Sequence, residues 1–344
     1  MEMIENNKDI FRYLNPNSND EISRMTNSDR INIMLNLRNY YLELRNTLNL
    51  DNSITFGTEI EFENAKRDII EKYIKENFPY MSWRVVDDRS LYHGGEINSP
   101  VLRDSEKTWI DLSNVCKVVE DNAEVLENTS AHVHIGMQIL GNNPKYWYNF
   151  SLIWMTYENI IIRFLYGEYS SPREKYEYYA SPISKDLIGD LEMLEKYSDY
   201  TSANAILTKL NKTNEKRRSV NFRHIGKTPL YNYNREADKN TIEFRGANGT
   251  FNPTIWQNNI NLLVRLLEYA KSDNFNEELI RQRLEVIKEN NLPSNLYKYS
   301  QIHTEQAFEF ADLIFTNNLD KVYFLKQYFK DMKVSMKPLT KVRI

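Results

Sequence analysis

Residues Ser53–Phe62 read SITFGTEIEF. The stretch alternates strictly: Ile54, Phe56, Ile60 and Phe62 share one parity, and Glu59 and Glu61 share the other. Successive side chains of a strand point to opposite faces, so the spacing predicts a strand with an apolar core face and two carboxylates side by side on its other face. Like charges that close repel unless a cation or a guanidinium sits between them. Taken alone, the pattern is also that of a solvated outer face. Its recurrence elsewhere in the chain, with other ligand-type residues, argues for a site.

The first recurrence is AHVHIGMQIL, residues 131–140. Ala131, Val133, Ile135 and Met137 fall on one parity, and His132, His134, Gly136 and Gln138 on the other, so both imidazoles leave the polar face of a second strand. A single histidine there is an ordinary structural residue, whereas H-x-H offers two nitrogen ligands or donors. The second recurrence is TIEFRGANGT, residues 241–250. Ile242 and Phe244 oppose Glu243 and Arg245. Glutamate suits a hard cation and arginine a bidentate phosphate contact. Gly246 and Gly249 are expected to let backbone approach a ligand. Glu96, in a short strand over 96–100, follows Gly94-Gly95, a pair suited to a sharp bend or a close backbone approach. Four carboxylates, one or two imidazoles and an arginine are a set for two or three Mg²⁺ or Mn²⁺ ions, which in turn hold nucleotide phosphates. Zinc, which favours fewer and nitrogen- or sulfur-rich ligands, suits this set less.

Helical spacing fills the intervals. A helix capped by Ser28 is expected to run to Leu48, with Ile31, Met34, Leu35, Leu42 and Leu44 at near-helical spacing. One over 65–78 is expected to start on an Asn64 cap, bury Ile69, Ile70, Tyr73 and Ile74, and stop at Pro79. WRVVDDRSL, residues 83–91, reads as strand then turn, with Asp87 and Asp88 in the turn. Further helices are expected over 105–127, 144–167, 186–197, 201–214 and 253–270. Those over 277–290, 304–316 and 318–332 make a helical tail. The tyrosine-rich stretch 169–180 reads as a loop or lid. Arg217, Arg218, Arg223, Lys227, Arg235 and Arg245 concentrate positive charge, which by itself means no more than a solvated surface.

Composition limits the function classes. The 344 residues are 41% hydrophobic and 27% charged, with a net charge of −4, which fits a folded protein with no bulk field for nucleic acid or anionic lipid. The single cysteine, Cys116, excludes an intramolecular disulfide and a Cys-based zinc site, and a reducing cytoplasmic location is expected. The first residues have no basic and apolar pattern of a signal peptide. No run of about 18 apolar residues occurs, so no membrane partner is expected. Neither a P-loop nor a G-x-G-x-x-G turn is present.

In order, FGTEIEFE, W-x-x-x-x-D-x-S-L, GGEINSPVL, HVHIG and TIEFRGANGTFNP resemble the motifs of the amidoligase family. That family is grouped with glutamine synthetase and glutamate–cysteine ligase among the carboxylate–amine ligases. The resemblance covers about 54–267 and implies an α+β fold: a curved, largely antiparallel sheet of the glutamine synthetase/glutamate–cysteine ligase type with helices on its outer face. It implies a catalytic domain over 51–271, flanked by a helical extension over 1–50 and a helical segment over 272–344. It also implies an ATP-dependent, Mg²⁺-dependent ligase that forms amide or isopeptide bonds through an acyl phosphate. By the resemblance, Glu61, Glu96 and Asp88 hold one metal and Glu59, His132 and Glu243 a second. His134 and Arg245 meet the nucleotide phosphates, and Arg223 from the basic stretch is a further nucleotide contact. Arg245, Glu243 and Glu61 carry catalysis. Where the family has a glycine just ahead of H-x-H, this chain has Ser130 and Ala131.

The implied partners are a small-molecule or peptide carboxylate and an amine, with nucleic acid expected only as a modified substrate. The residues 169–180 and 224–239 are the candidates for substrate selection. All the motifs lie in one chain, which suits a monomer or small homo-oligomer. Two competing readings use the same residues: a metal-dependent hydrolase or nuclease that needs no ATP, and a non-catalytic binding protein that keeps the fold.

Overall fold

A computed structural model of the chain describes residues 40–212, 217–225, 239–289 and 301–330, with isolated positions 26, 28, 32, 36 and 37. The alternating stretches do form strands. They are β1 (Phe56–Phe62), β2 (Arg84–Val86), β3 (Gly95–Asn98), β4 (Ser130–Gly136), β5 (Val220–Asn221) and β6 (Thr241–Asn248). They pair antiparallel throughout in the order β2-β3-β1-β4-β6-β5. Eleven helices accompany the sheet among the described residues, so the fold is α+β. None of them is long and apolar enough to cross a membrane.

The parity predicted from the sequence sets the two faces. Phe56, Ile60, Phe62, Ile97, Ala131, Val133, Ile135, Ile242 and Phe244 are all buried on one side. Three helices cover them: α2 (Glu106–Glu120), α3 (Pro144–Leu165) and α8 (Pro253–Ala270). Trp109 of α2 stacks on Phe56 at 5.4 Å, and Phe150 and Trp154 of α3 pack on Phe244. Each helix starts on a side-chain cap, from Ser105, Asn143 and Asn252 respectively, which satisfies an otherwise orphaned N–H. Burying α3 almost all round needs a second helical layer. It comes from α5 (Ser184–Gly189), α6 (Leu191–Ser198), α7 (Asn204–Lys212), α9 (Glu277–Glu289), α10 (Gln301–Ile314) and α11 (Asn318–Phe329), which pack on α3. One continuous core holds residues from Leu37 to Phe329.

Register then brings the polar residues face to face. Glu59 lies opposite His132, Glu61 opposite Glu96, and His134 opposite Glu243. Between β4 and β6 the pairing steps from Val133–Phe244 to Ala131–Ala247, so Arg245 and Gly246 both stand across from His132. Such a bulge re-aims a side chain at the edge of a site.

Several expectations are corrected. Residues 40–50 are not helical; they bury Leu48 and Leu50 and send their backbone bonds elsewhere. The N–H groups of Leu48 and Leu50 donate to Asp104, and Arg45 exchanges backbone bonds with the Gln257 amide. Positions 28, 32, 36 and 37 are helical, while Ile31, Met34 and Leu35 lie outside the described residues. The helix expected over 65–78 is α1 (Arg67–Asn77), preceded by Lys66 with no side-chain cap. Asn64 instead adopts φ +57° and donates to Glu124, and Ile69 is exposed. The 105–127 helix stops at Glu120. β4 ends at Gly136, and Met137–Ile139 form a 3₁₀ turn, because the Gln138 amide folds back onto Ser53 O and Thr55 Oγ1.

The stretch 169–180 is no free lid. It holds α4 (Tyr176–Tyr179), buries Tyr169 and Tyr176, and is pinned to the end of β6. Arg173 N donates to Asn248 Oδ1 and Arg173 Nη1 to Ala247 O. Gly246 and Gly249 approach the chain itself and not a ligand. A Cβ there would fall 3.0 Å from the Tyr176 hydroxyl and 2.3 Å from Thr129 Oγ1, respectively. The expected close approach at Gly94-Gly95 is real: a Cβ on Gly94 would lie 2.0 Å from Phe62 O. Lys227, Arg235 and most of 224–239 lie outside the described residues.

Candidate functional site

The face of the sheet turned away from the helices carries a cavity of about 340 Å³ lined by Glu59, Asp88, Glu96, His132, Glu243 and Arg245 among others. Five strands supply it: Glu59 comes from β1, Glu96 from β3, His132 from β4, Asn221 from β5, and Glu243 and Arg245 from β6. Glu59 is the hub. Its Oε2 is 2.9 Å from His132 Nδ1 and its Oε1 2.8 Å from His134 Nε2. His134 Nδ1 is 3.0 Å from Thr241 Oγ1. A carboxylate at Nε2 requires a donor there, so His134 carries its proton on Nε2 and accepts from Thr241.

Glu61 sits deeper. Ser130 N donates to its Oε2 at 2.6 Å and Ser130 Oγ to its Oε1 at 2.5 Å. His132 Nε2 is 3.7 Å from the same Oε1. On the other side of the ring, His132 Nδ1 is 3.8 Å from Glu243 Oε1. Glu243 is held from three directions. His224 Nε2 at 2.8 Å and Asn221 Nδ2 at 2.6 Å reach Oε2, and Arg245 Nη1 reaches Oε1 at 2.5 Å.

Two groups of three place ligand atoms within 4.8 Å of one another: Glu59, His132 and Glu243, and Glu61, Glu96 and His132. Asp88 lines the same cavity with its Oδ1 bonded to Ser90, while Asp87 faces Arg89 at 3.9 Å outside it. That separates the two neighbouring aspartates. Arg223 does not line the cavity; its backbone N–H donates to Asn221 Oδ1.

The electrostatics are unbalanced. Burial pushes the Glu96 carboxyl up to about 9, and Glu59 and Glu61 add to it. Burial also raises Glu61. For Glu59 and Glu243 burial acts in the same sense but loses. The bonds to His132 and His134 hold Glu59 well below the usual range, and those from His224 and Arg245 hold Glu243 down. The cluster therefore gathers more carboxylates than its own cations can keep ionised. An oxygen-rich set with one imidazole and surplus negative charge fits hard divalent cations such as Mg²⁺ or Mn²⁺. Lys239, 3.5 Å from Glu59 Oε1, and Arg217 add positive charge to the cavity wall.

Asn221 and Ser130 are not site candidates from the sequence; Arg217 reads there only as part of a basic, solvated stretch, and His224 and Lys239 fall in the 224–239 segment expected to select substrate without being named individually. Asn221 had a signal: Val220 and Phe222 are buried and flank it in the same alternation as the other strands. His224 sits in a turn after β5, where no periodicity speaks. Ser130 reads as a helix-breaking residue until β4 is paired to β1.

Residues 82–267, more than half of the chain, match the family model described as "Putative amidoligase enzyme". No curated protein matches the chain. The matched span begins after β1, so Glu59 and Glu61 join the site through strand register and not through the family match.

Proposed function

The chain belongs to the amidoligase family, and from that premise we propose that it is an ATP- and Mg²⁺-dependent carboxylate–amine ligase with a sheet of the glutamine synthetase type. The observation that carries the reading is the pair of ligand groups on either side of His132, with Arg245 held by Glu243 over the same cavity. A guanidinium anchored at that point suits the neutralisation of a phosphoryl group in transfer.

A carboxylate does not condense with an amine at neutral pH, because its oxygen is a poor leaving group. In the proposed reaction a carboxylate oxygen of the substrate attacks the γ-phosphorus of ATP and the bond to ADP breaks, giving an acyl phosphate. The amine nitrogen then attacks the acyl carbon, phosphate leaves and the nitrogen loses a proton. Bound divalent cations supply charge neutralisation between the phosphates and the approaching carboxylate. Glu61 and Glu96, with Asp88, would hold one ion, and Glu59, His132 and Glu243 the other. His134, whose Nε2–H is taken up by Glu59 Oε1, would orient that carboxylate for its ion. Arg245, whose ionisation Glu243 reinforces against burial, stabilises the equatorial oxygens of the phosphoryl group in transfer. The acceptor is a small molecule or peptide. Tyr179 and Arg217 at the cavity wall are where its selection would occur.

The test is calorimetric binding of a non-hydrolysable ATP analogue with and without Mg²⁺. Wild type is expected to bind only with the metal, and Glu61→Gln or Glu243→Gln to lose that dependence and turnover. Metal-independent binding, or near-full activity in either variant, overturns the reading.

A further inference from the structure

A second cavity, of about 720 Å³, shares no lining residue with the first. It lies between the segment that follows α2, the turn after α3 and the turn that leads from β6 into α8. Val125, Leu126 and Phe251 give it apolar surface, and Glu120, Glu124 and Glu168 give it negative charge. Glu120 and Glu124 are exposed, Val125 and Leu126 half-buried and Phe251 buried, so two carboxylates stand at the rim of an apolar groove. No lysine or arginine lines it among the described residues. Such a surface is complementary to a segment that is apolar on one face and basic on the other.

The chain carries such a segment beside it. α11 ends against the end of α3: Gln327 Nε2 donates to Phe164 O and Lys330 Nζ to Arg163 O, each at 3.1 Å. Burial, with Arg163 near it, holds the Lys330 amine well below the usual lysine range, and Glu168 acts on it in the opposite sense. Lys330 therefore lies within electrostatic reach of a residue of the groove wall. Residues 331–344, outside the described residues, read DMKVSMKPLTKVRI. Val334, Met336, Pro338, Val342 and Ile344 share one parity, and Lys333, Lys337, Lys341 and Arg343 share the other; Leu339 and Thr340 break the pattern. In an extended chain this spacing makes an apolar face and a basic face. At about 3.3 Å per residue the segment can reach about 46 Å.

We propose that residues 331–344 of the same chain seat in this groove, with their apolar parity on Val125, Leu126 and Phe251 and their lysines at Glu120 and Glu124. The occupant is the chain's own tail because it starts beside the groove, and attachment gives it an effective concentration of about millimolar that a free peptide lacks. Seated there, the tail braces the turn after β6, where Thr250 Oγ1 donates to Glu168 Oε1 at 2.7 Å, and so supports the strand that carries Glu243 and Arg245. The inference stands apart from the ligase reading: loss of nucleotide or metal binding leaves its expected results unchanged.

The experiment is run on the full chain. A carbodiimide, which joins a lysine amine to a carboxylate with loss of water, is applied to an equal mixture of unlabelled and isotopically heavy protein, and the linked peptides are identified by mass spectrometry. Links from Lys333, Lys337 or Lys341 to Glu120 or Glu124 are expected, within one copy. The rate of limited trypsin cleavage after Lys341 is the second readout. The double variant Glu120→Gln/Glu124→Gln is expected to speed it about 5-fold, the worth of two exposed ion pairs. Val334→Asp/Met336→Asp, which lies wholly in the tail and leaves the core untouched, is expected to speed it at least as much. Wild type cleaved as fast as both variants overturns the inference, and so do tail links to other carboxylates alone. Links found only between unlabelled and heavy copies make a second molecule's tail the occupant and also overturn it.

Discussion

Replacing Glu96 with glutamine should make the metal-free protein more stable while depriving it of part of its response to Mg²⁺. Glu96 lies across from Glu61 in the β1–β3 pair, and burial with its acidic neighbours pushes its carboxyl from 4.5 to about 9. A folded value above the unfolded one means a contribution that is fully present below 4.5 and is lost as pH rises towards 9. Between 4.5 and pH 7 each pH unit removes about 1.36 kcal/mol, about 3 kcal/mol in all. Solvent at the fringe of the side chain screens this to a realised cost of about 1–2 kcal/mol. Glutamine has nearly the shape of the protonated acid and never ionises, so Glu96→Gln escapes the loss. Urea unfolding of chelator-treated protein reads the effect. The variant should match wild type near pH 4.5, exceed it by about 1–2 kcal/mol at pH 7, and pull further ahead towards pH 9. Millimolar Mg²⁺ should stabilise wild type strongly and the variant weakly. A metal-free variant no more stable than wild type at pH 7, or one that Mg²⁺ stabilises just as much, refutes the reasoning.

His224→Ala removes one of three groups that hold Glu243; Mg²⁺-dependent nucleotide-analogue binding should weaken by about 10-fold or more, measured by calorimetry, with the melting temperature little changed. Arg173→Ala leaves the carbonyls of Ala247 and Arg245 without their buried donor and opens a cavity. The expected loss is about 3–4 kcal/mol in urea unfolding, and a loss under about 1 kcal/mol would show the pin to be unimportant. Glu59 and Glu243 have folded values held below 4.5, so their contribution is present above that pH and is lost as pH falls below it. Acid unfolding monitored by circular dichroism should therefore be less steep in metal-free Glu59→Gln than in wild type.

The comparison of β1 with the N-terminal segment shows why some of this was legible and some was not. In SITFGTEIEF, the alternation of apolar and acidic residues is a local property, because a strand turns every second side chain to the same face whatever lies beside it. The same holds for His132, His134, Glu243 and Arg245, and for the 3.6-residue spacing that places α8 at Pro253–Ala270 as expected. Residues 40–48 have helical spacing too, but there the local preference is overridden. Asp104 and Gln257 offer their backbone groups partners, and the hydrophobic core takes Leu48 and Leu50 in extended form. Similarly, tyrosine-rich 169–180 has a loop's composition, yet Arg173 and Asn248 bind it down.

The amino-acid sequence by itself therefore determined which residues share the polar face, which follows from short-range periodicity, and the family, which follows from motif order and whose resemblance in turn implied the antiparallel α+β class. Only the tertiary structure decided which of them meet. The register of β1 on β4 set Glu59 against His132, the bulge at Arg245–Gly246 brought Arg245 across from the same histidine, and pairing with β1 made Ser130 the link between Glu61 and His132. The packing of β5 on β6 brought His224 to Glu243. The physical reason is range: face is fixed by backbone geometry within a few residues, whereas partnership across a sheet depends on the sum of long-range contacts that choose one register over its neighbours.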